Sequence, residues 1–82
     1  MTWQEAVRLD PEARESFRAT ITCRMVDCDV EIARGVLEGN LSAAAAAVGK
    51  KQTWGDLLQA FEVEAREAEA YAGYRREAGL DH

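Results

Sequence analysis

The chain has 82 residues, of which 48% are apolar and 30% charged, with a net charge of −5. That length allows one domain at most, and the mixture of apolar and oppositely charged residues excludes an intrinsically disordered chain. The acidic balance removes long-range steering toward phosphate or anionic lipid. Alanine supplies much of the apolar content, so a thin core with closely packed helices is expected.

Residues 1–28 carry four basic and five acidic side chains, residues 29–61 three and four, and residues 62–82 three and six. The negative excess therefore lies mostly at the C-terminal end, and a basic partner suits it best. No segment approaches the ~20 apolar residues of a membrane span, and residues 1–15 lack the apolar run of a signal peptide. Cys23 and Cys28 are five apart, a spacing that puts helical side chains on different faces. With His82 the only histidine, there are too few ligands for structural zinc. Two unpaired thiols in a reducing cytoplasm follow as the expectation, with no metal and no cofactor.

In chain order, Thr2 and Glu5 form a capping box that starts a short helix ending near Leu9. Asp10, Pro11 and Glu12 form a second start signal: a cap, a residue suited to the first helical position, and a charge suited to the dipole. Ala13, Phe17, Ile21, Met25 and Cys28 recur every three or four positions, as on one helix face. The β-branched stretch 20–26 is read as helix, because a lone strand would have no pairing partner. Asp27 and Asp29 weaken a helix interior, so a break is expected at 27–29. Val30, Ile32, Ala33, Val36 and Leu37 then form the next apolar face.

Gly39 and Asn40 end that helix. Ser42 stands at the start of a short alanine helix, which Gly49 closes with a sharp turn. A long last helix follows over about 52–78, with a heptad seam at Trp54, Leu58, Phe61, Ala65, Ala68 and Ala72. Leu57 and Val63 widen the seam, Tyr71 and Tyr74 flank it, and Glu62 and Arg66 are spaced to pair. The helix is expected to fade near Gly79.

From Gly39 onward the residues resemble the helix-turn-helix of the Fis family, which also closes bacterial enhancer-binding activators of the nitrogen-control type. Gly39, Asn40 and Ser42 match its opening, Ala44 and Ala45 its paired alanines, and Gly49 its turn. Thr53 and Leu57 fall near its recognition-helix positions. The resemblance covers residues 29–61 and implies a DNA-reading helix after Gly49, with Lys50, Lys51, Gln52 and Thr53 as its contacts and a dimeric regulator as its function. The segment 52–61 departs from that pattern: it has no basic residue, one aspartate and an internal glycine. Phosphate contacts supply most non-specific DNA affinity, and base readout favours Arg, Asn or Gln, of which only Gln52 is present.

The expected fold is all-α: a single domain over 1–82 with four or five helices, a helix-turn-helix-like core at 29–61 and a long C-terminal helix. The expected function is non-enzymatic, since Asp27, Asp29 and Glu31 have no accompanying base, nucleophile or metal set. A regulator or inhibitor of a protein partner is favoured over the Fis-type DNA regulator. Its acidic surface would present Trp54, Glu62, Glu67, Glu69, Tyr71 and Tyr74, and homodimerisation would use the C-terminal helix. In size and charge the chain is comparable to phage-encoded inhibitors of host machinery, anti-CRISPR proteins among them. Trp3 and Trp54 are expected to serve mainly as packing residues.

Overall fold

A computed structural model describes residues 2–79. Among them are three helices: α1 (Trp3–Leu9), α2 (Pro11–Leu37) and α3 (Leu41–Glu77). The all-α expectation holds, with fewer and longer helices. The connection between α2 and α3 is only Glu38, Gly39 and Asn40. Gly39 takes a φ of +72°, which glycine adopts without steric cost. The Asn40 amide donates to the Gly35 carbonyl at 2.7 Å and the Gly39 amide to the Val36 carbonyl at 3.2 Å. These two bonds close a Schellman motif. The Asn40 side chain then accepts from the Ala43 amide at 3.1 Å, so one residue both ends α2 and caps α3. Asn40, two residues before Ser42, is the cap.

The result is an antiparallel helical hairpin measuring 60 × 21 × 15 Å along its principal axes. Its radius of gyration is 17.4 Å, against about 12 Å for a compact domain of this length. At its closed end the helices nearly touch. A Cβ on Gly35 would stand 2.9 Å from the Ala44 nitrogen and 3.0 Å from both the Ala44 Cβ and the Asn40 carbonyl oxygen. Ala44 and Ala47 are buried there. The alanine run thus does allow a close helix approach, made at Gly35.

At the open end α1 folds back over both long helices. Val7, Ile21, Phe61 and Ala65 form the buried core, with Trp3, Phe17, Met25, Trp54, Leu57 and Leu58 packed around it. Trp3 stacks on Phe17 at 5.6 Å between ring centres, and Phe17 on Phe61 at 5.0 Å. Both tryptophans therefore pack, as expected. The caps also agree with the sequence: the Thr2 hydroxyl accepts from the Glu5 amide, and the Asp10 carboxylate from the Glu12 amide.

Two expected interruptions do not occur. Gly49 makes no turn; it lies within α3, which runs unbroken from Leu41 to Glu77. An internal glycine costs about 1 kcal/mol relative to alanine, and burial of Ala44 and Ala47 before it and Phe61 and Ala65 after it offsets that cost. Nor does α2 break at 27–29. Asp27 and Asp29 are exposed, with Arg24 and Lys51 beside them, so neither removes burial from the helix. An unbroken α2 keeps its phase: its buried residues Arg14, Ile21, Cys28 and Gly35 are seven apart. Of the apolar face expected at Val30, Ile32, Ala33, Val36 and Leu37, only Ile32 is half-buried and the others point outward. Val63 is also exposed, whereas Leu57 packs on the core. Gly79, with a φ of +70°, follows the end of α3 as expected; His82 lies outside the described residues.

Two glycine substitutions separate these features. Gly35→Ala forces the helices apart at Ala44 and is expected to destabilise the fold by roughly 1–3 kcal/mol. A Cβ at Gly49 meets nothing within 4 Å, so Gly49→Ala is expected to stabilise by about 0.5–1 kcal/mol. Urea unfolding followed by circular dichroism measures both; destabilisation by Gly49→Ala contradicts a continuous α3.

Candidate functional site

Ion pairs run along the seam between the helices and sort the charged residues into committed and available ones. On α2, Arg14 and Arg18 precede Asp29 and Glu31; on α3, Lys50 and Lys51 precede Glu62 and Glu69. Antiparallel packing matches them: Lys51 to Asp29 at 2.6 Å, Lys50 to Glu31 at 3.7 Å, Arg18 to Glu62 at 2.9 Å and Arg14 to Glu69 at 3.9 Å. Arg8 of α1 reaches Glu64 at 3.0 Å. Glu62, which the spacing pairs with Arg66, is thus taken by Arg18 from the other helix.

Arg14 is the one buried charged residue among those described. Its Nη1 donates to the Val7 carbonyl at 2.7 Å, one of the carbonyls that the end of a short helix leaves without an intrahelical partner. Arg14 therefore fastens α1 to α2 while its Nε faces Glu69. Arg18 also lies over the Phe61 ring, 5.3 Å from its centre. The hydrogen bond to Glu62 holds the Arg18 guanidinium above its ordinary range, against the opposing effect of desolvation. The hydrogen bond to Glu64 does the same for Arg8. A raised arginine value adds stability that is complete at every pH below the unfolded arginine range and is lost only in strong alkali. From the arginine side these bridges do not titrate near neutrality.

The six residues expected on one partner-binding surface divide into three groups. Trp54 is half-buried against the core. Glu62 and Glu69, seven apart on one flank of α3, face arginines of α2. Glu67, Tyr71 and Tyr74, spaced four and three apart on another face, are exposed. Leu9, absent from the sequence expectation, joins them: it lines a cleft of about 350 Å³ with Arg8, Glu67, Ala68 and Tyr71. Its signal was its position as an apolar residue at the last turn of a seven-residue helix, where nothing follows to cover it. Arg75 lies 5.7 Å from the Tyr71 ring centre and donates to its hydroxyl at 3.2 Å.

The alanines of the C-terminal seam are buried to different degrees. Ala65 is in the core, and Ala68 and Ala72 line a cleft with Leu9, Pro11 and Arg14. The residues named for DNA contact are placed differently from a recognition helix. Lys50 and Lys51 are paired with Glu31 and Asp29, Gln52 is exposed, and the Thr53 hydroxyl donates back to the Gly49 carbonyl at 3.1 Å. Because α3 is continuous, no free helix N-terminus stands at 50–53 to receive a phosphate. Cys23 is exposed and Cys28 buried, both as free thiols. No described helix is long and apolar enough to cross a membrane. Compared with family models, with curated proteins and with solved structures, the chain matches none.

The Arg18–Glu62 bridge has a direct test. Arg18→Glu is expected to destabilise the fold, and adding Glu62→Arg to recover part of the loss, with a coupling of about 0.5–1 kcal/mol in a double-mutant cycle. Zero coupling means that the bridge contributes only packing.

Proposed function

We propose that the chain is a non-enzymatic regulator or inhibitor, acting in the cytoplasm, that binds a protein partner through the outer face of α3. The observation that carries this reading is the exposed cluster of Glu67, Tyr71 and Tyr74 with Leu9 beside it. Tyrosine supplies large amphipathic contact area and is enriched where protein interfaces concentrate their binding energy. Glu67 reaches Arg8 only through its longer-range field, so its carboxylate remains available to a basic partner. This surface is smaller than the six-residue acidic face of the sequence reading, because Glu62 and Glu69 are engaged by arginines.

The same ion pairing weighs against a nucleic-acid function. Binding phosphate through Lys50 or Lys51 would require breaking its bridge to Glu31 or Asp29, and the rest of α3 is acidic. In keeping with the non-enzymatic part of the reading, the cleft that Ser16 and Thr20 line has no titratable side chain in its lining, and the two beside Leu9 and Tyr71 are lined by no serine, threonine or cysteine.

The test uses the full chain as bait in extracts of its native host. Capture of a basic protein is expected, and Tyr71→Ala with Tyr74→Ala is expected to weaken it at least about tenfold while leaving helicity unchanged. Capture unaffected by the double substitution contradicts the assignment of this face. Random duplex DNA at about 50 mM salt is the counter-test: no binding is expected, and micromolar binding abolished by Lys50→Glu with Lys51→Glu would overturn the protein-partner reading.

A further inference from the structure

The most unusual surface on the molecule is the outer face of α2. Ala19, Cys23, Val26, Val30, Ala33 and Leu37 are spaced four, three, four, three and four apart, and all six are exposed. Val26 is 54% exposed, Val30 51% and Leu37 86%. This is a heptad seam of the kind that covers itself with another helix, and it lies opposite the buried row of Arg14, Ile21, Cys28 and Gly35. The sequence hides it, because one unbroken helix carries two apolar phases, one for each side.

Physical need is greatest toward the closed end. There the molecule is only two helices wide, and its buried residues are Cys28, Gly35, Ala44 and Ala47, none of them large. Val36 and Leu41 are also exposed at that end. Two such hairpins joined through α2 would bury Val26, Val30 and Leu37 in a two-helix seam, with the α3 of each copy on the outside.

We propose that a second copy of this chain covers this face, the two α2 helices running parallel and in register. Charge placement selects both the occupant and the direction. The positions flanking the seam are Thr20, Asp27 and Arg34 on one side and Thr22, Asp29 and Val36 on the other. In a parallel pair each residue of the second flank faces the partner residue five positions later on the first. Asp29, whose Oδ1 is held by Lys51 of its own chain while its side chain stays 54% exposed, then meets Arg34 of the second copy with its other oxygen, twice by symmetry. Among the described residues Arg34 has no carboxylate partner within its own chain. An antiparallel pair that keeps the whole seam in contact has its centre at residue 28. It sets Asp27 against Asp27 and Asp29 against Asp29, and like charges held opposite each other disfavour it.

The seam spans about 27 Å of helix and is roughly 10 Å wide. Specific interfaces usually bury about 800 Å² on each side, so this one is small and the dimer forms at high micromolar concentration. The proposal is independent of the α3 partner surface, which remains open on the other long helix.

Sedimentation equilibrium from about 10 µM to about 1 mM tests association. The expected result is a rise from the 9.1 kDa monomer mass toward twice that value. Val30→Glu, at an exposed position, is expected to weaken the dimer more than tenfold with helicity unchanged, and Val63→Glu on α3 to leave it intact. Cys23 reports the direction. In the parallel pair its two copies face each other within disulfide reach, whereas in the full antiparallel pair they stand about 15 Å apart along the axis. Diamide, which takes up the two electrons and two protons released by two thiols, is therefore expected to give a covalent dimer that Cys23→Ser abolishes. A monomer throughout the range, a dimer indifferent to Val30→Glu, or a dimer without the Cys23 link overturns the proposal.

Discussion

The fold depends on the contact between Gly35 and Ala44. With no side chain on one helix and a methyl on the other, α2 and α3 approach until a single added carbon would collide with backbone. That proximity lets three residues close the hairpin, with Gly39 supplying the left-handed step and Asn40 capping α3. Once the ends are fixed this tightly, the register of both helices follows for their whole length. Phe61 arrives beside Phe17, and Arg18 beside Glu62.

Electrostatics reinforces the same register. Each long helix changes sign along its length, and only the antiparallel pairing puts opposite charges together. Exposed pairs of this kind contribute little individually, and their larger effect is to disfavour slipped alignments. They also shape the surface that remains. Arg14 and Arg18 occupy Glu69 and Glu62, while Asp29 and Glu31 occupy the two lysines. The fifteen carboxylates of the chain therefore overstate the number offered to a partner.

Much of the local structure was legible in the residues. The capping box at Thr2, the Asp10-Pro11 start, the end of α2 at Gly39 and the seam through Trp54, Leu58, Phe61 and Ala65 all occur as read. The interruptions at 27–29 and Gly49 were misread for a shared reason. Weak helix formers lower local propensity by tenths of a kcal/mol to about 1 kcal/mol, and packing on either side outweighs that. The outward turn of Val30, Ala33 and Leu37 is a consequence of the same error, since an unbroken helix cannot change phase. Arg14 was missed because a lone arginine gives no sign of burial; only its place seven before Ile21 and fourteen before Cys28 marks it. Of the residues named from the sequence for a partner surface, Tyr71, Tyr74 and Glu67 are exposed, whereas the pairing of Glu62 and Glu69 with arginines required knowing which helix lies opposite.

The glycine-bounded alanine segment is thus the first quarter of one long helix, and the chain's surfaces are the two outer faces of a rod. Any function exercised through those faces presupposes that α3 is continuous through Gly49. Backbone amide exchange across residues 45–55 measures this most directly. In a continuous helix the amides of Lys50, Lys51, Gln52 and Thr53 donate to carbonyls four residues earlier, and slow exchange with uninterrupted helical carbon shifts is expected. Rapid exchange confined to residues 49–52, with helical shifts on both sides, would reveal a turn there and contradict the account.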